Sequence, residues 1–332
     1  MRKYLSWLLA TTLLLVLATA GLVSAAPAPE KVTIQIDGAA VPYYAPLYVA
    51  KEKGFFAEEG LDVDFYYAAA ADIVKNVAVG NVEFGFPNAD AVILAKSQGI
   101  PVKVIHTTYQ RGLGATIFKK SSGIKEPKDL KGKRVAITSY GSPNYIQLQV
   151  LLKKAGLSVK DVKIEIVGTG AIVNALATDQ VDAICFSMLR TFELRNRGVD
   201  VAEFRSDEFL PSHGNVLVTS EKLLREKPEL ARKFIRALDK SLKWIIGGHL
   251  DEAINLAVQK YAPTYAGQEK SLEEIFDKAF INYLWQSDNT RAHGLGWGDV
   301  ERWQRSIDVM KEYGVIDKAF DAKTLVTNEF LK

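Results

Sequence analysis

DIVKNVAVGNVE, residues 72–83, and AIVNALATDQVD, residues 171–182, are two versions of one pattern. Ile73, Val74 and Val77 in the first match Ile172, Val173 and Leu176 in the second. That spacing puts the apolar residues on one face of a helix. A short polar turn follows in each, and then Val82-Glu83 or Val181-Asp182 enters an apolar strand. Both copies hold the same place in the local order of strands. The pattern predicts two lobes of similar plan, each a small, mostly parallel sheet with helices on its faces.

Outward from these copies, Val/Ile-rich runs alternate with helical patterns, the signature of an α/β chain. The runs are 32–36, 61–66, 82–86, 102–108, 115–119, 134–138, 163–167, 183–186 and 215–219. From Ser220 onward the pattern is almost wholly helical, with segments at 221–225, 228–247, 250–261, 271–285 and 297–313. Residues 31–117 with 218–332 are assigned to lobe 1, whose helical tail packs back on it, and 118–217 to lobe 2. The chain then crosses between lobes near Phe118 and near Asn215, and two crossing strands make a hinge.

Composition narrows the setting. Arg2 and Lys3 precede an apolar run from Leu5 to Ala20, and Val23-Ser24-Ala25 supplies small side chains for cleavage after Ala25. Residues 1–25 are therefore expected to be a secretory signal peptide and the mature protein to be periplasmic. The single cysteine, Cys185, excludes an internal disulfide and a lipid anchor at the cleavage site. Its apolar strand context predicts a small buried side chain. The formal charge of +3 for the whole chain gives no footprint for nucleic acid.

Ligands of open α/β sheets gather at the carboxyl ends of strands. In lobe 1 those ends carry Asp37, Tyr43 and Tyr44, then Asn88 and Asp90, then Tyr109 and Arg111. In lobe 2 they carry Tyr140, Gly141, Ser142, Asn144 and Tyr145, then Ser187, and Asn215 lies at the second crossing. Ser142 reads as an N-cap with Pro143 at the first helical position, and Asn88 as a similar cap. The mixture of flat rings, amides and hydroxyls suits a neutral, flat, hydrogen-bonding molecule. Helix N-termini with Arg111 would instead suit an oxyanion. The four histidines show no metal spacing, and no nucleophile elbow, P-loop or dinucleotide fingerprint is present. A binding protein without cofactor is expected rather than an enzyme.

The stretch YAPLYVAKEKGFF (44–56) followed by EGLDV (59–63) resembles the opening of the periplasmic substrate-binding proteins of ABC importers, in the branch related to thiamine-pyrimidine synthases. Further matches are QGIPV (98–102), DLKGKRV (129–135), QVDA (180–183), Gly296-Trp297 and TNEFL (327–331). The resemblance implies a type II two-lobed periplasmic-binding-protein fold that closes about a hinge. It implies a monomer that takes a small-molecule ligand and hands it to an ABC permease with its ATPase. Ligands across that family include thiamine pyrimidines, riboflavin, sulfonates and nitrate. The tail is closest to the pyrimidine group, and 135–152 resembles riboflavin receptors. Pyrimidine receptors commonly have a tryptophan where Gly38 follows Asp37, and the synthases' cysteine-rich motif is absent.

Overall fold

The computed structural model describes residues 28–331; the expected signal peptide lies outside the described residues. Ten strands form two sheets. They are β1 (Glu30–Asp37), β2 (Leu61–Ala68), β3 (Phe84–Phe86), β4 (Val102–His106), β5 (Gly114–Lys119), β6 (Arg134–Ile137), β7 (Lys163–Ile166), β8 (Ala183–Ser187), β9 (Val201–Arg205) and β10 (Leu217–Ser220). The first sheet has the order β2-β1-β3-β10-β4 and the second β7-β6-β8-β5-β9. In each, three adjacent strands are parallel and the next is antiparallel to both its neighbours. These are two copies of one plan, with helices covering the faces.

The repeated segments occupy equivalent places. Helix Ala70–Val79 leads into β3 and helix Ile172–Ala177 into β8, the third parallel strand of each set. Ile73, Val74 and Val77 are fully buried, and Ile172, Val173 and Leu176 are at most 5 % exposed. The equivalence reaches the backbone: Gly80 turns left-handed at φ 79°, and Asp179, its counterpart, at φ 61°. Asp179 is the only described non-glycine residue with positive φ, a conformation that aspartate tolerates better than most side chains.

Three features depart from the sequence expectation. Strand β9 was not foreseen; it is a half-covered edge strand whose residues alternate weakly. The first crossing comes earlier than Phe118: β5 already belongs to the second sheet from Gly114, so the connector is residues 107–113. The expected helix at 271–285 is an α-helix, Glu269–Ile275, that continues as a π-helix over Phe276–Leu284.

The two connectors pair with each other. Tyr109 N donates to Asn215 O at 3.0 Å, and Gly214 N donates back to Tyr109 O at 3.1 Å. This close approach requires glycine: a Cβ on Gly214 would lie 2.8 Å from the Tyr109 Cβ and 2.9 Å from Arg111 O. The tail packs on the first sheet through Phe234, whose ring meets Phe56 at 4.8 Å and Phe84 at 4.4 Å. It also reaches the second, where Tyr265 accepts from Arg190 at 2.9 Å and Tyr283 donates to Asp207 at 3.0 Å.

A buried polar contact joins the sheets. Gln147, on helix Pro143–Lys154, donates to the Asp90 carboxylate at 2.8 Å, and Ser212 donates to its other oxygen. A Cβ on Gly114 would fall 1.7 Å from Gln147 Oε1. Gln147 is 2 % exposed and has nowhere to swing. Gly114→Ala is therefore expected to break this contact and cost about 2 kcal/mol. A calorimetric Tm several degrees below wild type checks it; an unchanged Tm means Gln147 repacks freely.

Candidate functional site

Between the sheets lies a cavity of about 770 Å³, counting the open space at its mouth. Its walls are strand ends. Asp37 ends β1, and the short 3-10 turn Pro42–Tyr44 brings Tyr43 and Tyr44 over it. Asn88 caps the helix after β3, and Tyr109 and Asn215 come from the paired connectors. From the second sheet come Thr138 after β6, Thr169 after β7, and Phe186 and Ser187 at the end of β8. Ser142 caps helix Pro143–Lys154, and Asn144 in its first turn faces the same space.

Nine of the residues singled out from sequence thus share one cavity: Asp37, Tyr43, Tyr44, Asn88, Tyr109, Ser142, Asn144, Ser187 and Asn215. Five lie outside it. Asp90 is buried in the contact with Gln147 and Ser212, and burial pushes its carboxyl up to about 6. Arg111 sits 4.9 Å from the Tyr283 ring and pairs with Asp207 at 3.6 Å, so it is not available as an anion ligand in the cavity. Tyr140 is 60 % exposed and packs edge-on against Tyr145 at 5.1 Å. Gly141 faces Ala71, 3.5 Å from its would-be Cβ.

The tyrosines form the cavity floor, and the polar ends of Tyr44 and Tyr109 are already engaged. Tyr43 stacks on Phe280 at 5.4 Å with planes 13° apart. Tyr109 stands edge-on to Phe86 at 5.8 Å and to Phe280 at 5.6 Å. The Tyr44 hydroxyl donates to Asp37 O at 2.6 Å, and that of Tyr109 to Tyr43 O at 2.7 Å. These rings offer faces and edges to a ligand, while the Tyr44 and Tyr109 hydroxyls hold the fold. Asn88 and Asn215 are also used internally: Asn88 accepts from Asp90 N at 3.1 Å and Asn215 donates to Phe86 O at 3.0 Å.

Two residues carry the cavity's charge. Burial pushes the Asp37 carboxyl up to about 7, against the Ala70 backbone N–H, which pulls it down. Arg190, in the first turn after β8, was missed from sequence. It is 5 % exposed and lines the cavity. Burial disfavours its charge, but Tyr265, Tyr43 and Glu193 outweigh that and hold its pKa above the ordinary arginine value. Its guanidinium lies 5.1 Å from the Phe186 ring and 5.9 Å from Tyr43. Its bonds to Glu193 at 2.7 Å and Tyr265 at 2.9 Å both leave from Nη1, and Nε is buried with no partner. A buried, unpaired N–H of a charged group is costly unless a ligand supplies the acceptor.

Phe280 was also missed, because the π-helix that carries it has no sequence periodicity of its own. For Arg190 there was a signal: a lone charge among Met188, Leu189 and Thr191, just past a strand end. Cys185 is buried as its strand context predicted, and burial pushes its thiol up to about 12. Among the described residues no group of three or more His, Cys, Asp or Glu side chains is placed to hold a metal ion.

Comparison with known proteins agrees with this architecture. The family described as NMT1/THI5 like matches residues 41–249. The riboflavin-binding protein RibY of Chloroflexus aurantiacus is 30 % identical over 93 % of this chain and 90 % of its own length. The formylaminopyrimidine-binding protein of Halalkalibacterium halodurans is 26 % identical over 89 % of this chain and 91 % of its own. A solved structure from Bordetella bronchiseptica RB50 superposes with a TM-score of 0.75 at 22 % identity, over 91 % of this chain and 95 % of that one. With two matched sheets facing one cavity and a family match over most of its length, the chain belongs to the NMT1/THI5-like family and has the two-lobed fold of periplasmic binding proteins.

Proposed function

We propose that the protein is the periplasmic substrate-binding component of an ABC importer and takes a heterocyclic vitamin or vitamin precursor, of the riboflavin or thiamine-pyrimidine type, into its interlobe cavity. The observation that carries this reading is the cavity itself: aromatic faces on one side, and on the others a few amide, hydroxyl and charged groups at the strand ends of both sheets. Such a site suits a flat ring with polar edges. RibY, a binder of riboflavin by its name, is similar over nearly the whole chain. The paired connectors supply a hinge about which 31–113 with 217–331 and 114–216 would close, and the closed lobes would present the ligand to a permease and its ATPase.

A second reading keeps the receptor and changes the ligand to a small oxyanion such as a sulfonate or nitrate. Arg190 and the N-terminus of helix Pro143–Lys154 favour it. Against it, Arg190 is already bonded to Glu193, a carboxylate it shares with Arg197, and Asp37 adds a carboxyl to the same cavity.

Riboflavin titrated into the purified mature protein is expected to lose its fluorescence with one site per monomer and a Kd of about 1 μM or below, near 8 kcal/mol. Asn144→Ala, which removes a cavity-facing amide, is expected to weaken binding about tenfold. A 4-amino-5-hydroxymethyl-2-methylpyrimidine competitor that displaces riboflavin moves the assignment to the precursor group. Displacement by taurine, or taurine binding alone, replaces the heterocycle reading by the oxyanion one.

A further inference from the structure

Beside the ring cavity lies a second hollow of about 810 Å³. The two share a wall made of Ala39, Val41, Thr169 and Arg190. Beyond that wall the lining changes character. The aromatic floor is gone apart from Tyr265, and Asn174, Thr264 and Gln268 take its place. Like the inner cavity, this hollow lies between the lobes: Asn174 belongs to helix Ile172–Ala177 beside the second sheet, and Gln268 to the tail.

Its polar groups are amides and hydroxyls, each able to donate and to accept. Of the charged members, Arg190 and Arg197 both bond the one carboxylate of Glu193, which leaves a formal surplus of one positive charge. Asn174 and Gln268 are exposed, and the Gln268 side chain makes only a long 3.4 Å bond to Thr264 O in the turn before it. Arg190 stands in the shared wall with its Nε unpaired, at the boundary between an apolar and a polar space.

We propose that this outer hollow is a second subsite for a hydroxylated chain borne by the ring in the inner cavity, with Arg190 contacting the ligand where ring and chain join. The inference rests on the heterocycle reading and narrows it to ligands built in two parts. A bare pyrimidine would fill the inner cavity and leave the outer one to water.

The test compares two flavins that differ only in the chain: riboflavin, with its ribityl group, and lumiflavin, with a methyl in its place. Fluorescence titrations of the mature protein are run with wild type and with the double variant Asn174→Ala/Gln268→Ala. Neither side chain is buried, so the variant is expected to fold, which an unchanged Tm verifies. Wild type is expected to bind riboflavin at least about tenfold more tightly than lumiflavin. The double variant is expected to shrink that ratio to about threefold or less while its lumiflavin affinity stays at the wild-type value. Equal affinity of wild type for both flavins overturns the subsite and leaves the ring reading intact. Equal weakening of both flavins in the variant also overturns it. Failure of wild type to bind either flavin overturns the flavin reading, and the subsite with it.

Discussion

Arg190→Lys is expected to lower flavin affinity about 100-fold while leaving the fold intact. Lysine keeps a positive charge for Glu193, which sits 2.7 Å from Arg190 Nη1. It cannot keep the planar fork whose buried Nε has no hydrogen-bond partner within the protein. Hydrogen bonds from a charged donor contribute about 1.5–3 kcal/mol each, and a lysine ammonium recovers at most one of two. The remaining loss, about 1.5–3 kcal/mol, spans roughly 10- to 150-fold in Kd. Fluorescence titration reads it, and a Tm within a few degrees of wild type separates it from misfolding. An unchanged Kd assigns Arg190 to holding Glu193 and Tyr265 and nothing more.

Asp37→Asn is expected to act in opposite directions on stability and binding. The Asp37 carboxyl has an ordinary value of 3.8 and is raised to about 7 in the folded chain. Between those values the folded state holds a proton that the unfolded state has released, so stability falls as pH rises from about 4 to about 7 and then levels off. Asparagine removes that loss. At pH 8 the ligand-free variant is expected to gain about 1–3 kcal/mol, below the ceiling of about 4 kcal/mol that the full shift would give. Denaturant melts at pH 5 and pH 8 check it: the gain should be large at the higher pH and small at the lower.

Binding runs the other way. A ring N–H donating to Asp37 favours the ionised carboxylate, so wild-type affinity is expected to rise about tenfold between pH 6 and pH 8. The variant's affinity should be weaker and flat over the same range. A pH-independent wild-type Kd would place Asp37 outside the ligand's reach.

The fold was legible where the chain repeats itself. The helix-turn-strand at 72–83 and its counterpart at 171–182 carry apolar faces regular enough to show two sheets of one plan, and even the left-handed turn recurs at Gly80 and Asp179. What was not legible lacks such periodicity. Strand β9 is half-covered at a sheet edge, and the π-helix over Phe276–Leu284 departs from the 3.6-residue repeat that apolar spacing reveals. The cavity was partly legible because strand ends can be enumerated, which gathered nine of fourteen residues. The others lie outside the cavity for a physical reason: a position in a loop does not say which way a side chain turns. Arg111 turns to Asp207, while Arg190, a few residues past a strand end, turns inward.

The backbone bonds between Tyr109 and Gly214–Asn215 separate mechanics from chemistry. The pivot is fastened by main-chain atoms and by a glycine, so it is indifferent to most side chains around the cleft. On the proposed reading, replacing residues such as Thr138, Thr169 or Asn144 would retarget what the molecule grips without altering its swing. If the lobes close as proposed, one scaffold of this build is free to diversify its cargo while preserving a single gesture of delivery.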